Sequence, residues 1–158
     1  MVAMTDARSD VQPRTLVLVR HAKAESGDEG ADHERRLTSR GQRAAAEAGR
    51  WLATVVPTPD AVWCSSATRA VQTWQAIAPS LEAPEPTVDR DLYLAGPRDV
   101  VERLAAAPGP TTVVVGHNPT VEQVLATVTG EPRGMRPGAV AVVDLEAGRL
   151  VDFWEPRR

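Results

Sequence analysis

Four side chains that could bind or attack a phosphate group lie just after short apolar runs of the sequence. Arg20 and His21 follow the first run, Arg69 lies one helical turn after the second, and His117 follows the third. Arginine offers planar, bidentate hydrogen bonds to phosphate oxygens. A neutral imidazole nitrogen can attack phosphorus when its other ring nitrogen is held by a hydrogen bond. These residue types therefore predict a phosphate site.

The three apolar runs are typical of strands buried on both faces. Thr15 to Val19, Ala61 to Cys64 and Thr111 to Val115 are rich in β-branched residues and do not alternate with polar ones. The segments Ala139 to Leu145 and Leu150 to Trp154 predict a C-terminal hairpin. Since amphipathic helices separate the first three strands, we predict a three-layer α/β/α fold whose mostly parallel sheet has an antiparallel C-terminal edge.

Helices are predicted between these strands from apolar residues at helical spacing. The first begins at Thr38 or Ser39, and its apolar face is Ala48, Trp51, Leu52 and Val55. The second is capped by Ser65 or Ser66, and its apolar face is Ala67, Ala70, Val71, Trp74 and Ala78. The third begins at Pro97 and the fourth at Asn118 and Pro119. Residues 22–37 read as a long loop, and 79–97, with five prolines, as an irregular connection with one short extended piece.

The predicted strands explain why the four side chains matter together. The carboxyl ends of parallel strands meet at one edge of the sheet, where open α/β folds bind ligands. Helix N-termini at that edge favour anions. Taken singly, each arginine reads more simply as a solvated residue and each histidine as a hydrogen-bonded structural one. Their convergence at one edge favours a functional site, whereas His33 reads as a solvated loop residue.

Composition excludes several classes of protein. The chain has 158 residues, 42% of them hydrophobic, 25% charged, and a net charge of −3. We expect a flexible N-terminus over 1–14 and a single domain over 15–158. The charge argues against nucleic acid and anionic membrane as partners. Because Cys64 is the one cysteine and no apolar run has the length of a membrane span, we expect a cytoplasmic protein.

Three segments together resemble a known family. The segment 18–22, Leu-Val-Arg-His-Ala, resembles the Arg-His-Gly signature of the histidine phosphatase superfamily, which is also called phosphoglycerate mutase-like. The segment 65–73 resembles its Ser-x-x-x-Arg-Ala-x-x-Thr motif, and Gly116-His117 its second histidine. The segment 32–41 and the short length resemble the SixA-type phosphohistidine phosphatases. The resemblance covers about residues 15–154, and Ala22 departs from it, since the signature has glycine there.

The resemblance implies both a fold and a mechanism. The fold is phosphoglycerate mutase-like, and the reaction is a two-step transfer through a phosphohistidine on His21. Arg20, Arg69 and a protonated His117 would then neutralise charge on the phosphoryl oxygens. We expect no metal and no cofactor, because the sequence contains no cluster of metal ligands.

The proton donor for the leaving group is left open by the sequence. Glu25, four residues after His21, and Asp91 are the candidates, and each reads equally as a surface carboxylate. Imidazole has a reference pKa of about 6.5 and leaves phosphorus more easily than an alkoxide does. A site with a poor general acid would therefore suit phosphohistidine better than a sugar phosphate.

Accessibility also favours a protein substrate. Only 47 residues separate Arg69 from His117, which leaves little chain for a lid over a small metabolite. The acidic pair Asp28 and Glu29 would discourage highly charged free anions if the loop folds over the site. We therefore expect phosphohistidine on a phosphorylated protein as the substrate.

Three alternatives remain at this stage. A small-molecule phosphomonoesterase or mutase would have the same fold. A cysteine-based phosphatase would use Cys64, but only four residues separate Cys64 from Arg69 where that signature needs five. A phosphohistidine- or phosphate-binding module without turnover would need the same phosphate site. The oligomeric state is not predicted by the sequence.

Overall fold

A computed structural model describes residues 14–26 and 32–157 of the chain. Six strands in these ranges form one sheet in the order β3-β2-β4-β1-β5-β6. Their bounds are β1 Thr15–Arg20, β2 Ala61–Ser65, β3 Thr87–Asp89, β4 Thr111–Gly116, β5 Val140–Asp144 and β6 Arg149–Trp154. The predicted N-terminal segment 1–14, apart from Arg14, and the acidic pair Asp28 and Glu29 lie outside the described residues.

The direction of the strands confirms the predicted mixed sheet. β1, β2, β3 and β4 pair in parallel, whereas β5 runs antiparallel to β1 and β6 antiparallel to β5. In the register of the central pair, Arg20 lies beside Gly116. The residues that follow β1 and β4 are therefore neighbours at the carboxyl edge of the parallel strands.

Helices cover both faces of the sheet, which gives the predicted three layers. They are α1 Ser39–Val55, α2 Thr68–Ile77, α3 Arg90–Leu94, α4 Pro97–Leu104 and α5 Thr120–Thr129, with short 3-10 turns at Asp32–Glu34 and Ala78–Ser80. The apolar residues of α1 and α2 pack on one face, and those of α3, α4 and α5 on the other. In β1, Val17 and Val19 contact the first layer while Leu16 and Leu18 contact the second. Because this strand has no solvated face, its apolar residues do not alternate with polar ones.

Two details of the sequence prediction are wrong. Neither Ser65 nor Ser66 caps α2, because Ser65 is the last residue of β2 and Ala67 occupies the N-cap position without a side-chain bond. Val55 lies at the end of α1 and is 36% exposed, outside the apolar face. The N-cap of α1 is Thr38, as expected, and its hydroxyl accepts a hydrogen bond from the N–H of Gly41.

The segment 79–97 is more regular than its prolines suggest. It contains β3, the single short extended piece that was expected, and also helix α3, which was not. The Asp89 side chain caps α3 by accepting a hydrogen bond from the N–H of Asp91, and buried Leu92 anchors this helix. Five residues are too few for a periodic apolar pattern, so this helix has no recognisable signal in the sequence.

In the part of the chain that the structure describes, no helix is both long and apolar enough to cross a membrane.

Candidate active site

The four predicted side chains lie together at the carboxyl edge of the parallel strands. The backbone N–H of His21 donates to the carbonyl oxygen of Gly116, which joins the ends of β1 and β4. The imidazole rings of His21 and His117 have centroids 5.3 Å apart. The guanidinium charges of Arg20 and Arg69 are close enough to lower the pKa of His21. Sheet topology has therefore assembled residues that are 97 positions apart in the sequence.

His21 is held with its proton on Nδ1. That nitrogen lies 2.8 Å from the backbone carbonyl oxygen of Ala22. A carbonyl can only accept, so Nδ1 carries the hydrogen and Nε2 keeps a free electron pair. Burial is the main cause that lowers the pKa of His21 from 6.5 to about 4, and Arg69 and Arg20 lower it further. The ring is therefore neutral at pH 7.

Ala22, which departs from the family signature, is part of the support for His21. Its side chain is fully buried and its N–H donates to the hydroxyl of Thr73 at 2.9 Å. The same hydroxyl donates to the carbonyl oxygen of Arg69 at 2.7 Å. One threonine on α2 thus connects the segment after β1 to the backbone of Arg69, and the methyl group of Ala22 is accommodated in the core.

The guanidinium group of each arginine is held through its Nη atoms by hydrogen bonds to the protein. Arg20 donates from Nη1 to the carbonyl oxygen of Met135 at 2.9 Å. Burial lowers the pKa of Arg20, and the carboxylate of Glu122 opposes that shift. Arg69, which is 5% exposed, donates from Nη1 to the carbonyl oxygen of Asp32 and from Nη2 to its carboxylate. These contacts immobilise both guanidinium groups before any anion binds, which lowers the entropic cost of binding.

His117 is positioned by Ser65, the residue that the sequence suggested as a helix cap. The Ser65 hydroxyl lies 2.7 Å from His117 Nε2 and already accepts the N–H of Ala67. A serine hydroxyl both donates and accepts, so this contact is compatible with a proton on either ring nitrogen of His117. Burial, followed by the charge effects of His21 and Arg69, lowers the pKa of His117 to about 3. Without a bound anion the ring is therefore neutral near pH 7, and the protonated His117 expected with phosphate bound stays a prediction.

Three nitrogen atoms of this cluster are buried without a partner. Arg20 Nε, Arg69 Nε and His117 Nδ1 have no hydrogen-bond acceptor among residues 14–26 and 32–157. Buried donors without acceptors are costly, so native proteins rarely keep them without a reason. All three belong to side chains that the sequence predicts for a phosphate site.

A second group of polar side chains forms a rim beside Arg69. The hydroxyl of Tyr93 donates to Asp32 Oδ2 at 2.6 Å, and its ring lies edge-on to His117, with centroids 5.6 Å apart. Tyr93 lowers the pKa of Asp32 to about 2, with Arg69 as a further cause. Neither residue was predicted from the sequence to have a functional role. Asp32 lies in the family-like segment 32–41, which was the available signal; Tyr93 had none, because α3 was not predicted.

The interpretation of His33 as a solvated loop residue is wrong. Its Nε2 lies 2.7 Å from the hydroxyl of Ser66, and its ring packs edge-on against Tyr93 with centroids 4.8 Å apart. The side chain is 28% exposed. The 3-10 turn at Asp32–Glu34 brings this histidine to the rim, a long-range contact that loop composition does not predict.

The two candidate proton donors are not brought into the cluster. Glu25 is exposed, and its hydrogen bonds are formed by its backbone with Arg35 and Arg36. Asp91 faces a separate depression on α3 and α4, beside Asp99 and Arg103. Within the described ranges, neither carboxylate forms a hydrogen bond or ion pair with the four predicted side chains.

Cys64 does not form a nucleophile at this site. Its side chain is fully buried in the core beneath α1 and α2, and burial raises the pKa of its thiol to about 12. A thiol of this kind is not ionised at pH 7 and is a weak nucleophile. Among the residues described, no group of three or more His, Cys, Asp or Glu side chains could hold a metal ion.

Comparisons with known proteins identify the family of this chain. Residues 16–93 match the histidine phosphatase superfamily (branch 1). An uncharacterized protein of Mycobacterium tuberculosis (strain ATCC 25618 / H37Rv) is 43% identical over 117 residues, which cover 71% of this chain and 72% of that protein.

Solved structures extend the match over the whole fold. A candidate phosphohistidine phosphatase SixA from Nakamurella multipartitia is 32% identical, with a TM-score of 0.79 over 93% of this chain and 98% of that chain. The corresponding candidate SixA from Agrobacterium tumefaciens is 30% identical, with a TM-score of 0.85 over 92% of this chain and 100% of that chain. The chain therefore belongs to the histidine phosphatase superfamily and is of the SixA type, as the sequence resemblance indicated. Members of this superfamily are hydrolytic phosphatases.

Proposed function

We propose that this phosphatase removes the phosphoryl group from phosphohistidine on a protein, through a phosphohistidine intermediate on its own His21. The observation that carries the proposal is the bond from His21 Nδ1 to the carbonyl oxygen of Ala22. It leaves Nε2 as an unprotonated nucleophile beside two guanidinium groups. The relatives from Nakamurella multipartitia and Agrobacterium tumefaciens, described as candidate phosphohistidine phosphatases, support the same substrate class.

The proposed reaction consists of two phosphoryl transfers, first to His21 and then to water. In the first, His21 Nε2 forms a bond to phosphorus while the phosphorus–nitrogen bond of the substrate breaks and its electron pair goes to the departing imidazole. In the second, water attacks phosphorus, the Nε2–phosphorus electron pair returns to His21, and inorganic phosphate and a proton are released. Each transfer moves a phosphoryl group between nitrogen or oxygen atoms in line, so positioning and charge supply most of the catalysis.

The two arginines and His117 are the oxyanion donors of the proposed site. The guanidinium groups of Arg20 and Arg69 and the ring of His117 donate hydrogen bonds to the non-bridging phosphoryl oxygens. A bound dianion raises the pKa of His117, because its negative charge opposes the effects of Arg69 and burial.

Among residues 14–26 and 32–157, neither candidate proton donor reaches the site, which fits a phosphoramidate substrate. The carboxylate that the structure does bring to the rim, Asp32, has its pKa lowered to about 2 by Tyr93 and Arg69. It is ionised at pH 7 and cannot donate a proton to an alkoxide leaving group. When the second ring nitrogen of the substrate phosphohistidine carries a proton, its imidazole leaves as a neutral group. Such a leaving group needs no proton donor.

A side-by-side assay tests the substrate class. We expect turnover of a phosphohistidine peptide with a kcat/KM well above that for a panel of sugar phosphates and p-nitrophenyl phosphate. The assay is repeated in EDTA, where we expect unchanged activity. A higher kcat/KM for a free sugar phosphate would instead assign a small-molecule phosphomonoesterase.

Rapid quenching in alkaline detergent tests the intermediate. After mixing with a ³²P-labelled phosphohistidine peptide, we expect base-stable, acid-labile label on the wild-type chain and none on His21→Ala. Binding of the peptide without label transfer or phosphate release would identify a binding module rather than an enzyme.

A further inference from the structure

A basic cavity lies beside the candidate active site and is not used by the proposed chemistry. It has a volume of about 290 Å³ and is lined by Lys23, Arg40, Arg136 and Arg157, with Pro137 and Pro156 as apolar walls. Four cationic side chains here contrast with a net charge of −3 for the whole chain.

The cavity opens on the same edge of the sheet as His21. Val140, the first residue of β5, pairs with Val19 in β1 and with Trp154 in β6. Residues 136–137 and 156–157 therefore lie at the edge where β1 ends. Lys23 follows His21 by two residues, so their Cα atoms are at most about 7 Å apart.

The wall between the cavity and His21 is tightly packed. A Cβ atom on Gly41, in the first turn of α1, would lie 2.1 Å from the carbonyl oxygen of Lys23. Gly138 donates its N–H to the carbonyl oxygens of Arg20 and His21. These contacts involve backbone atoms, so the backbone of Lys23, Gly41 and Gly138 is fixed relative to the candidate nucleophile.

The charge of the cavity is largely uncompensated. Arg136 pairs with Glu155 at 3.3 Å. For Lys23, Arg40 and Arg157, no carboxylate of the residues that the structure describes lies within salt-bridge distance. Lys23, Arg40 and Arg157 are exposed, so an incoming ligand can reach them.

We propose that this cavity docks an acidic segment of the phosphoprotein substrate, a few residues away from its phosphohistidine. The occupant is a peptide segment with aspartate or glutamate side chains, because carboxylates complement the cations and the proline walls accept aliphatic stems. The proposal rests on the proposed phosphohistidine phosphatase function and adds a specificity determinant to it. Docking at this position places the substrate's phosphoryl group over His21. Loss of docking should therefore raise KM and leave kcat unchanged.

The test uses two synthetic phosphohistidine peptides of equal length, one flanked by glutamates and one by glutamines. We expect the wild-type chain to prefer the glutamate peptide by about threefold to tenfold in kcat/KM, the combined effect of a few exposed charge pairs. The preference should decrease with added salt because exposed charges are screened.

Paired variants locate the preference. The double variant Lys23→Gln/Arg40→Gln should lose it through a higher KM for the glutamate peptide, with unchanged hydrolysis of p-nitrophenyl phosphate. The control Arg50→Gln/Arg149→Gln removes two exposed cations that do not line the cavity and should keep the preference. Equal kcat/KM for both peptides in the wild type, or an equal loss in both double variants, would overturn the proposal.

Binding separates this proposal from the proposed reaction. Fluorescence anisotropy of a labelled glutamate peptide without phosphohistidine reports docking without turnover. Charge-dependent binding without hydrolysis of either peptide would overturn the proposed reaction and support the docking site. Competition by free glutamate at the same concentration as the peptide, or a dimer that the Lys23→Gln/Arg40→Gln variant dissociates, would assign the cavity to a small anion or a second copy and overturn the docking of a substrate segment.

Discussion

The protonation state of individual side chains decides the chemistry at the residue scale. His21 is neutral because it is buried, and the carbonyl oxygen of Ala22 fixes which of its nitrogens is free. His117 is neutral for the same reason, and its Nε2 lies 2.7 Å from the hydroxyl of Ser65. Cys64 is a thiol of raised pKa within the core. Histidine and cysteine are both common nucleophiles, but burial favours the unprotonated Nε2 of a neutral imidazole and disfavours the thiolate.

Replacement of the two candidate nucleophiles should have opposite outcomes. We expect His21→Ala to lower kcat by at least about 10³-fold, because it removes the proposed nucleophile. Cys64→Ser should keep most activity, since the thiol is fully buried in the core. Initial rates on a phosphohistidine peptide measure both effects. Activity retained in His21→Ala but lost in Cys64→Ser would contradict the assignment of His21.

The histidine rings should titrate far below the usual pH. The pKa values of His21 and His117 are lowered to about 4 and about 3, so both rings should remain neutral at pH 5.5. Saturating inorganic phosphate should raise both values because its charge offsets the burial penalty. A ¹H–¹³C NMR titration of the ring C–H signals, with and without phosphate, makes the measurement. Titration of both rings near pH 6.5 without phosphate would be incompatible with this site.

At the element scale, single side chains connect secondary structures that carry different parts of the site. Thr73 on α2 accepts the N–H of Ala22 and donates to the carbonyl oxygen of Arg69. The segment after β1 and the first turn of α2 are thereby fixed relative to one another. Close approach also matters, because the Cα of Gly49 in α1 faces Ile77 in α2 with no room for a methyl group.

Removal of the Thr73 hydroxyl should weaken both stability and catalysis. Thr73→Val keeps the shape but leaves the buried N–H of Ala22 unpaired, at an expected cost of about 1–3 kcal/mol in the free energy of unfolding. Thr73→Ser keeps the hydroxyl and should retain most of both properties. Urea denaturation and kcat on a phosphohistidine peptide provide the two measurements. An equal effect of the two substitutions would show that packing of the methyl group, and not the hydrogen bonds, is what matters.

At the scale of the whole molecule, the fold places the candidate site at the carboxyl edge of the sheet. Two apolar layers cover the sheet, and the groups that titrate near neutral pH in an unfolded chain are held at its carboxyl edge. Folding therefore buries His21 and His117 in their neutral forms. The free energy of unfolding must depend on pH, because the unfolded chain binds protons on these rings that the folded chain does not.

Stability should fall as the pH is lowered from 6.5 towards 4. The two histidines have folded pKa values below the unfolded value of about 6.5. Their contribution is therefore fully present above pH 6.5 and decreases below it, by at most about 1.4 kcal/mol per pH unit for each ring. Urea titrations between pH 4.5 and 6.5 measure the slope. The double variant His21→Gln/His117→Gln should have a flatter slope, and an unchanged slope would contradict the burial argument.

The sequence by itself determined the main elements and the four central residues of the site. Apolar runs without alternation mark β1, β2 and β4, because only strands covered on both faces have that composition. Strand ends in a parallel sheet share one edge, so the positions of Arg20, His21, Arg69 and His117 followed from order along the chain. Family-like segments at those positions pointed to the same chemistry.

Only the tertiary structure decided the protonation states and the rim. The pKa of His117 depends on burial and on His21 and Arg69, contacts that no local pattern encodes. Helix α3 is too short for a periodic signal, so the placement of Tyr93 against Asp32 could not be predicted. The convergence of these four side chains therefore follows from the sequence, whereas the neutral histidines and the ionised rim carboxylate follow from long-range packing.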